Sequence, residues 1–288
     1  MIWKDSYALG VDALDRQHRE LFEAVNLLSS SLEKSDQESC KMACIDALTY
    51  LENYTIVHFD DEEEYQRSIG YINYLQHKRQ HDAFLKTISY MKYELMESKF
   101  SRAAIKRFSG TLTSWLVYHV TNSDQDIVGK RKGYSQAGSM SRILQNVMIK
   151  AIDDMFHISP EVADDNYMGD FSEGDLLCLV DINDDTLRQG YRFIFALEEL
   201  FALRTVGSLI GKKLDAVDEL VASAIGELSN IFSLQVLSLF HNNGEFKEKQ
   251  VKMIPSSEIA KYSLPREPES SILFSSDMGS FSIRAWKR

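Results

Sequence analysis

The first proline of this 288-residue chain is Pro160. A proline inside a helix removes a backbone hydrogen bond and clashes with the preceding turn, so a stretch this long without one can support long helices. Four amphipathic segments follow one another within it. Leu14, His18, Leu21, Phe22, Val25, Leu28 and Leu32 mark the first by their helical spacing. The second runs over about 40–65, after a Ser35–Asp36 cap signal, and a break at 68–70 precedes the third, about 72–96. The fourth covers about 101–121. Short connections between four such helices predict an all-α, up-down-up-down four-helix bundle.

The texture changes after Gly129. Residues 130–140 are polar with Gly and Ser, which places a linker there and two domains at 1–131 and 139–288. The second domain mixes element types. Residues 143–156 and 216–232 read as helices, and 175–182 and 191–197 as strands. Two hairpins are expected: 235–240 with 246–254 around His241-Asn242-Asn243-Gly244, and 272–276 with 280–286 around Asp277-Met278-Gly279. Residues 168–175 read as an acidic, solvated loop. The sum is an α+β domain.

Composition excludes several classes. The formal charge of −11 argues against general nucleic-acid binding, which needs a basic footprint. No run of 18 apolar residues suggests a membrane span, and residues 1–10 lack the apolar core of a secretory signal. Cys40, Cys44 and Cys178 do not make a zinc register, so buried thiols in a reducing cytoplasm are expected.

Five of the seven histidines fall in the four helical segments. His58 and Glu62 stand at i,i+4, as do His77 and His81, which puts each pair on one helix face. His119 and Asp124 stand at i,i+5, about 140° apart on a straight α-helix, so a local distortion must bring both inward. His18 adds a ligand from the first helix. Five imidazoles and two carboxylates are too many for one tetrahedral ion and suit a pair of ions. Two octahedral irons sharing carboxylates and an oxo or hydroxo bridge would leave a position open for O2.

These residues carry a family resemblance. Trp3, Tyr7, Gly10, Val11, Leu14, Asp15, Gln17 and His18 resemble the opening motif of the hemerythrin family. His58-Phe59-x2-Glu62-Glu63, His77-x3-His81 and His119-x4-Asp124 resemble its other three motifs. The resemblance implies that His77, His81 and His119 hold one iron, that His18 and His58 hold the other, and that Glu62 and Asp124 bridge them. Trp115 would wall the ligand pocket.

A second motif lies in the long helix near the middle of the second domain. Ser223, Glu227 and Asn230 stand at i, i+4 and i+7 and share a face, beside an apolar stripe of Leu220, Ala224, Leu228 and Ile231. A carboxamide can orient a water without acting as a base. The motif and the order of elements over about 140–255 resemble the CheC/CheX/FliY-type chemotaxis phosphatases, the single motif being more similar to CheX. That resemblance implies a sheet-extended homodimer that dephosphorylates a CheY-like receiver. Asn230 would place the attacking water, Glu227 would contact the receiver, and Mg2+ would come with the partner. The reading that joins the halves is a cytoplasmic sensor of oxygen, NO or redox state whose output is a receiver phosphatase. Two others stay open: an oxygen-storage protein with an inactive dimerisation tail, and an adaptor that binds a receiver without hydrolysing it.

Overall fold

In a computed structural model of the chain, residues 3–34, 36–130, 138–171, 174–184, 189–241, 246–262, 264 and 267–288 are described. They form two compact units, 1–132 and 133–288. Most of the expected linker at 130–140 lies outside the described residues.

The first unit is built from α1 (Asp12–Ser31), α2 (Gln37–Ser68), α3 (Tyr74–Glu97) and α4 (Arg102–Tyr118). Each helix packs on its sequence neighbours and α1 also packs on α4, which closes an antiparallel ring. Asp36 caps α2 by accepting from the Ser39 N–H at 2.7 Å, and Ser101 caps α4 by accepting from the Ala104 N–H. The heptad-like apolar faces fill the middle, with Phe22, Leu28, Leu51, Leu95, Ile105 and Phe108 fully buried. At one end, α4 gives way to a π-helical turn, His119–Ser123, and then to a short α5, Asp124–Ile127. Ahead of α1, the Asp15 carboxylate accepts from the N–H groups of Leu9 and Gly10, and Gln125 Nε2 donates to the Tyr7 carbonyl. The N-terminal segment is thereby tied down beside His18.

The second unit has α6 (Met140–Phe156), β1 (Glu161–Asp164), β2 (Leu176–Asp184), β3 (Gln189–Leu197), α7 (Glu199–Ile210), α8 (Glu219–Phe240), β4 (Lys247–Ile254), β5 (Ser270–Ser276) and β6 (Gly279–Lys287). All pairings are antiparallel, in the order β1-β5-β6-β3-β2-β4. Register places Val180, Phe193, Ile283 and Ile272 on one face, under the helices. α8 lies on that face, with Gly226 beside Val251 of β4. Leu177, Leu179, Asp181, Arg192 and Ile194 point to the opposite face, where Phe171, Ile259 and Tyr262 pack on Leu177 and Leu179. Cys40, Cys44 and Cys178 are buried and form no disulfide.

Four expectations need correction. Residues 235–240 are not a hairpin strand but the last turns of α8, and β4 pairs with β2. The apolar run Val236-Leu237-Ser238-Leu239 fits either period; packing of α8 between α6, α7 and the sheet decides for the helix. The turn expected at 242–244 lies outside the described residues. α7 and β1 were not anticipated: α7 starts one residue after β3 ends and stops at Gly211, whose φ of 71° closes the helix in a left-handed turn. The 168–175 stretch is not only solvated, because Phe171 packs on the core and the Arg284 guanidinium lies 4.3 Å over its ring. Finally, α8 is long and apolar enough to cross a membrane by composition, and 67% of that stretch is buried inside the unit.

Candidate functional site

The N-terminal candidates converge. Glu62, His77, His81 and His119 bring one ligand atom each within 4.8 Å of one another, and so do His18, His58 and Glu62. Glu62 belongs to both groups, and its two oxygens divide between them. Oε1 lies 2.8 Å from His77 Nε2 and 3.5 Å from His81 Nε2, while Oε2 lies 3.6 Å from His58 Nε2 and 4.0 Å from His18 Nε2. Asp124 divides in the same way. Its Oδ1 is 3.0 Å from His119 Nε2 and 3.4 Å from His77 Nε2, and its Oδ2 is 3.2 Å from His18 Nε2.

The helix ends make this possible. His119 and Asp124 bracket the π-helical turn, and the Asp124 N–H donates to the His119 carbonyl. An i→i+5 bond widens the turn by one residue. Two residues that a straight α-helix would splay apart therefore both face inward.

All seven side chains are buried. Burial pushes the imidazoles of His18, His58 and His81 down to about 4, about 3 and about 2, and that of His119 well below its ordinary value. Neutral imidazoles keep a nitrogen lone pair available. Burial also works on the carboxylates. It raises Asp124 well above the carboxylate range, and the neighbouring charge of Glu62 adds to the rise. For Glu62 the desolvation is outweighed by His77, His81 and His58, which hold it well below that range. Two carboxylates that oppose each other's ionisation in a dry pocket call for cations.

Unsatisfied atoms point the same way. Both ring nitrogens of His18, Glu62 Oε2 and both Asp124 oxygens are buried without a hydrogen-bond partner among the described residues. Buried polar atoms left unpaired in such a cluster mark an ion site. Borderline nitrogen donors with bridging oxygens suit iron, so the donor set fits the group inferred from the sequence.

Around the cluster, Phe59 stacks on His81 at 3.7 Å, and Trp115 stacks on His119 at 4.3 Å and on Phe84 at 3.6 Å. A small apolar pocket adjoins the histidines, with Leu21, Leu51, Phe84 and Trp115 on its wall beside His58 and His119. Sequence reasoning gave no role to Gln17, Glu63 or Gln66, which the structure places behind the cluster. Gln17 Oε1 lies 3.2 Å from His58 Nδ1, Glu63 Oε1 lies 3.2 Å from His81 Nδ1, and Gln66 Nε2 donates to Glu62 Oε1 at 2.7 Å. For Gln17 and Glu63 the available signal was adjacency to His18 and Glu62 in the motifs, and for Gln66 it was i,i+4 spacing from Glu62.

Residues 9–130 match the family described as "Hemerythrin HHE cation binding domain". The N-terminal unit is a hemerythrin domain. The hemerythrin domain is 29% identical over 128 residues to a bacteriohemerythrin of Clostridium acetobutylicum, covering 44% of this chain and 98% of that one. It is 28% identical to a bacteriohemerythrin of Stenotrophomonas maltophilia (46% and 83%) and 28% identical to a myohemerythrin of Theromyzon tessulatum (44% and 91%). Outside the hemerythrin domain, the likeness is to solved chemotaxis proteins. CheX from Vibrio vulnificus is similar at 13% identity with a TM-score of 0.41, over 54% of this chain and 100% of that one. A chain of the CheX-CheY-BeF3-Mg complex from Borrelia burgdorferi is similar at 17% and 0.42, over 55% and 99%.

The second motif lies on α8. Ser223 and Glu227 are half-buried on its surface, but Asn230 is only 8% exposed, so the outward polar rail expected from spacing ends one turn early. Leu228, Ser229, Phe232 and Ser233 around it are buried too, and both α6 and α7 pack on α8. His157 and His241 belong to the second unit and to neither group of converging ligands. His157 closes α6 in a left-handed turn, and His241 Nε2 lies 2.7 Å from the Tyr191 hydroxyl at the end of α8.

Proposed function

We propose that the hemerythrin domain holds two non-haem irons and binds O2 or NO, and that the C-terminal unit acts on a CheY-like receiver in response. The observation that carries the first part is the division of oxygens. Glu62 and Asp124 each turn one oxygen to the three-histidine group and the other toward His18 or His58. In this reading His77, His81 and His119 hold one iron, His18 and His58 the other, and both carboxylates bridge. Bound iron would supply the redox chemistry and an open coordination position. The protein's own part is to keep the imidazoles of His18, His58, His81 and His119 neutral, to exclude water with Phe59, Phe84 and Trp115, and to admit a small uncharged ligand through the apolar pocket.

For the C-terminal unit, Glu227 and Asn230 support a receiver phosphatase in which Glu227 meets the partner, Asn230 positions water, and the partner brings Mg2+. Two copies would join along an open edge of the sheet, at β1 or β4. One observation favours a second reading, an adaptor that binds a receiver without hydrolysing it: the burial of Asn230. The cysteines form no disulfide, in accord with a reducing cytoplasm.

The test has two arms. Aerobic iron loading of the full chain should give about two irons per chain with oxo-to-iron charge-transfer absorption; iron near zero would defeat the metal reading. A phosphorylated receiver with Mg2+ should then lose its phosphoryl group faster with the protein present. Asn230→Ala should cut that acceleration by about 100-fold or more, the range for removing a group that acts in the transition state. Acceleration unchanged by Asn230→Ala would sink the catalytic role, and binding without acceleration would select the adaptor. Equal rates for the deoxy and oxygenated protein would remove the coupling between units.

A further inference from the structure

The two ends of the metal cluster are backed by different charges. At one end His58 Nδ1 faces Gln17 Oε1 at 3.2 Å, and the Gln17 amide donates onward to Asp61 at 2.6 Å. The direct partner there is a neutral amide. At the other end His81 Nδ1 faces a carboxylate, Glu63 Oε1, at 3.2 Å. Since His81 Nε2 points into the cluster, 3.0 Å from His119 Nε2, the proton of a metal-holding imidazole sits on Nδ1 and is donated to Glu63.

Glu63 is itself engaged from the surface. Lys78 Nζ lies 3.2 Å from Oε1 and 3.1 Å from Oε2, and the Tyr74 hydroxyl reaches Oε2 at 3.4 Å. The Lys78 side chain is 40% exposed while Glu63 is buried. One surface cation is thus connected through one buried carboxylate to one candidate ligand. A carboxylate behind an imidazole makes the ring a stronger donor, and a cation on that carboxylate weakens the effect.

We propose that the Glu63–Lys78 pair is a positioning and tuning device that sets the electron-donor strength of His81, and with it the reduction midpoint of the three-histidine end of the iron pair. The proposal rests on the di-iron reading above. Glu63 acts through His81 and Lys78 acts through Glu63, and neither belongs to the groups whose ligand atoms converge.

The charges predict opposite signs. Glu63→Gln keeps a hydrogen-bond acceptor but removes the negative charge, so the oxidised state loses stabilisation and the midpoint rises. Lys78→Met leaves Glu63 unneutralised, so the midpoint falls. A shift of about tenfold in the ferrous-to-ferric ratio at fixed potential is expected for each, equal to ~59 mV for a one-electron couple. Lys78→Arg restores the cation and should return the midpoint to that of the parent.

The experiment is a spectroelectrochemical titration of the iron-loaded full chain and the three variants, with iron measured on each. Opposite shifts with iron retained, and rescue by Lys78→Arg, are the expected result. Shifts of the same sign, or no shift, with iron retained overturn the proposal while leaving the di-iron reading in place. If Glu63→Gln loses iron, Lys78→Met decides alone, because an unmoved midpoint there overturns the proposal. A parent chain that takes up no iron overturns the di-iron reading and this proposal together.

Discussion

Glu62→Ala is expected to strip the hemerythrin domain of iron at both positions. The two oxygens of Glu62 serve different histidine groups, and the carboxylate belongs to both four-ligand and three-ligand clusters. Removing a partner that only supports a ligand typically costs 10–100-fold in metal affinity. Removing a ligand shared by both ions should cost more than roughly 100-fold at each. His18→Ala offers the contrast. It takes one donor from the two-histidine group and leaves Glu62, His77, His81 and His119 intact, so about one iron per chain should remain. Iron analysis after loading and desalting reads both results. Equal iron in Glu62→Ala and the parent would mean that the carboxylate does not bridge. Loss of all iron in His18→Ala would mean that the two groups do not hold ions separately.

The second large effect lies in the C-terminal unit. Asp181 on β2 and Arg192 on β3 are directly paired in register, on the sheet face opposite the helices. The guanidinium donates twice to the carboxylate, from Nε to Oδ1 and from Nη2 to Oδ2, each at 2.7 Å. Arg288 adds a contact to Oδ2 at 2.9 Å. Asp181 is 3% exposed and Arg192 8% exposed. Asp181→Ala removes the bidentate partner of a buried guanidinium, and breaking a buried pair from one side costs ~3–5 kcal/mol. Domains are stable by only ~5–15 kcal/mol, so Asp181→Ala should remove a large part of this unit's stability. With a urea m-value of ~1–3 kcal/mol/M, the unfolding midpoint of the unit should fall by about 1–5 M. Replacing both residues by leucine should cost much less, because the buried guanidinium goes with the carboxylate and Arg288 is 40% exposed to water. Iron content should not change in either variant. A midpoint unmoved by Asp181→Ala would mean that water reaches the pair.

Much of the hemerythrin domain was legible because its chemistry is local. His58 with Glu62 and His77 with His81 are one turn apart, and a helix puts such pairs on one face whatever surrounds it. The four-helix reading rested on the same periodicity, and on the absence of proline. The spacing of His119 and Asp124 carried a more specific message: a straight helix could not present both. The π-helical turn between them resolves that, with a backbone bond joining the two residues.

The parts that were not legible depend on contacts between residues far apart in the chain. Whether 235–240 is a strand or a helix end turns on the burial of Val236, Leu237 and Leu239 in a unit where α8 packs on α6, α7 and the sheet. Spacing placed Asn230 on the face of Ser223 and Glu227, but flanking helices determine its exposure. Gln17 and Glu63 stood in plain view within the motifs, yet only the folded bundle turns one to His58 and the other to His81, 41 and 18 residues away. The sequence by itself determined which side chains share a helix face, since 3.6 residues per turn is a property of the backbone alone. The tertiary structure decided which faces meet, which carboxylate oxygen turns to which histidine, and which charges lie behind the ligands. Those depend on burial, and burial is decided by the whole unit at once.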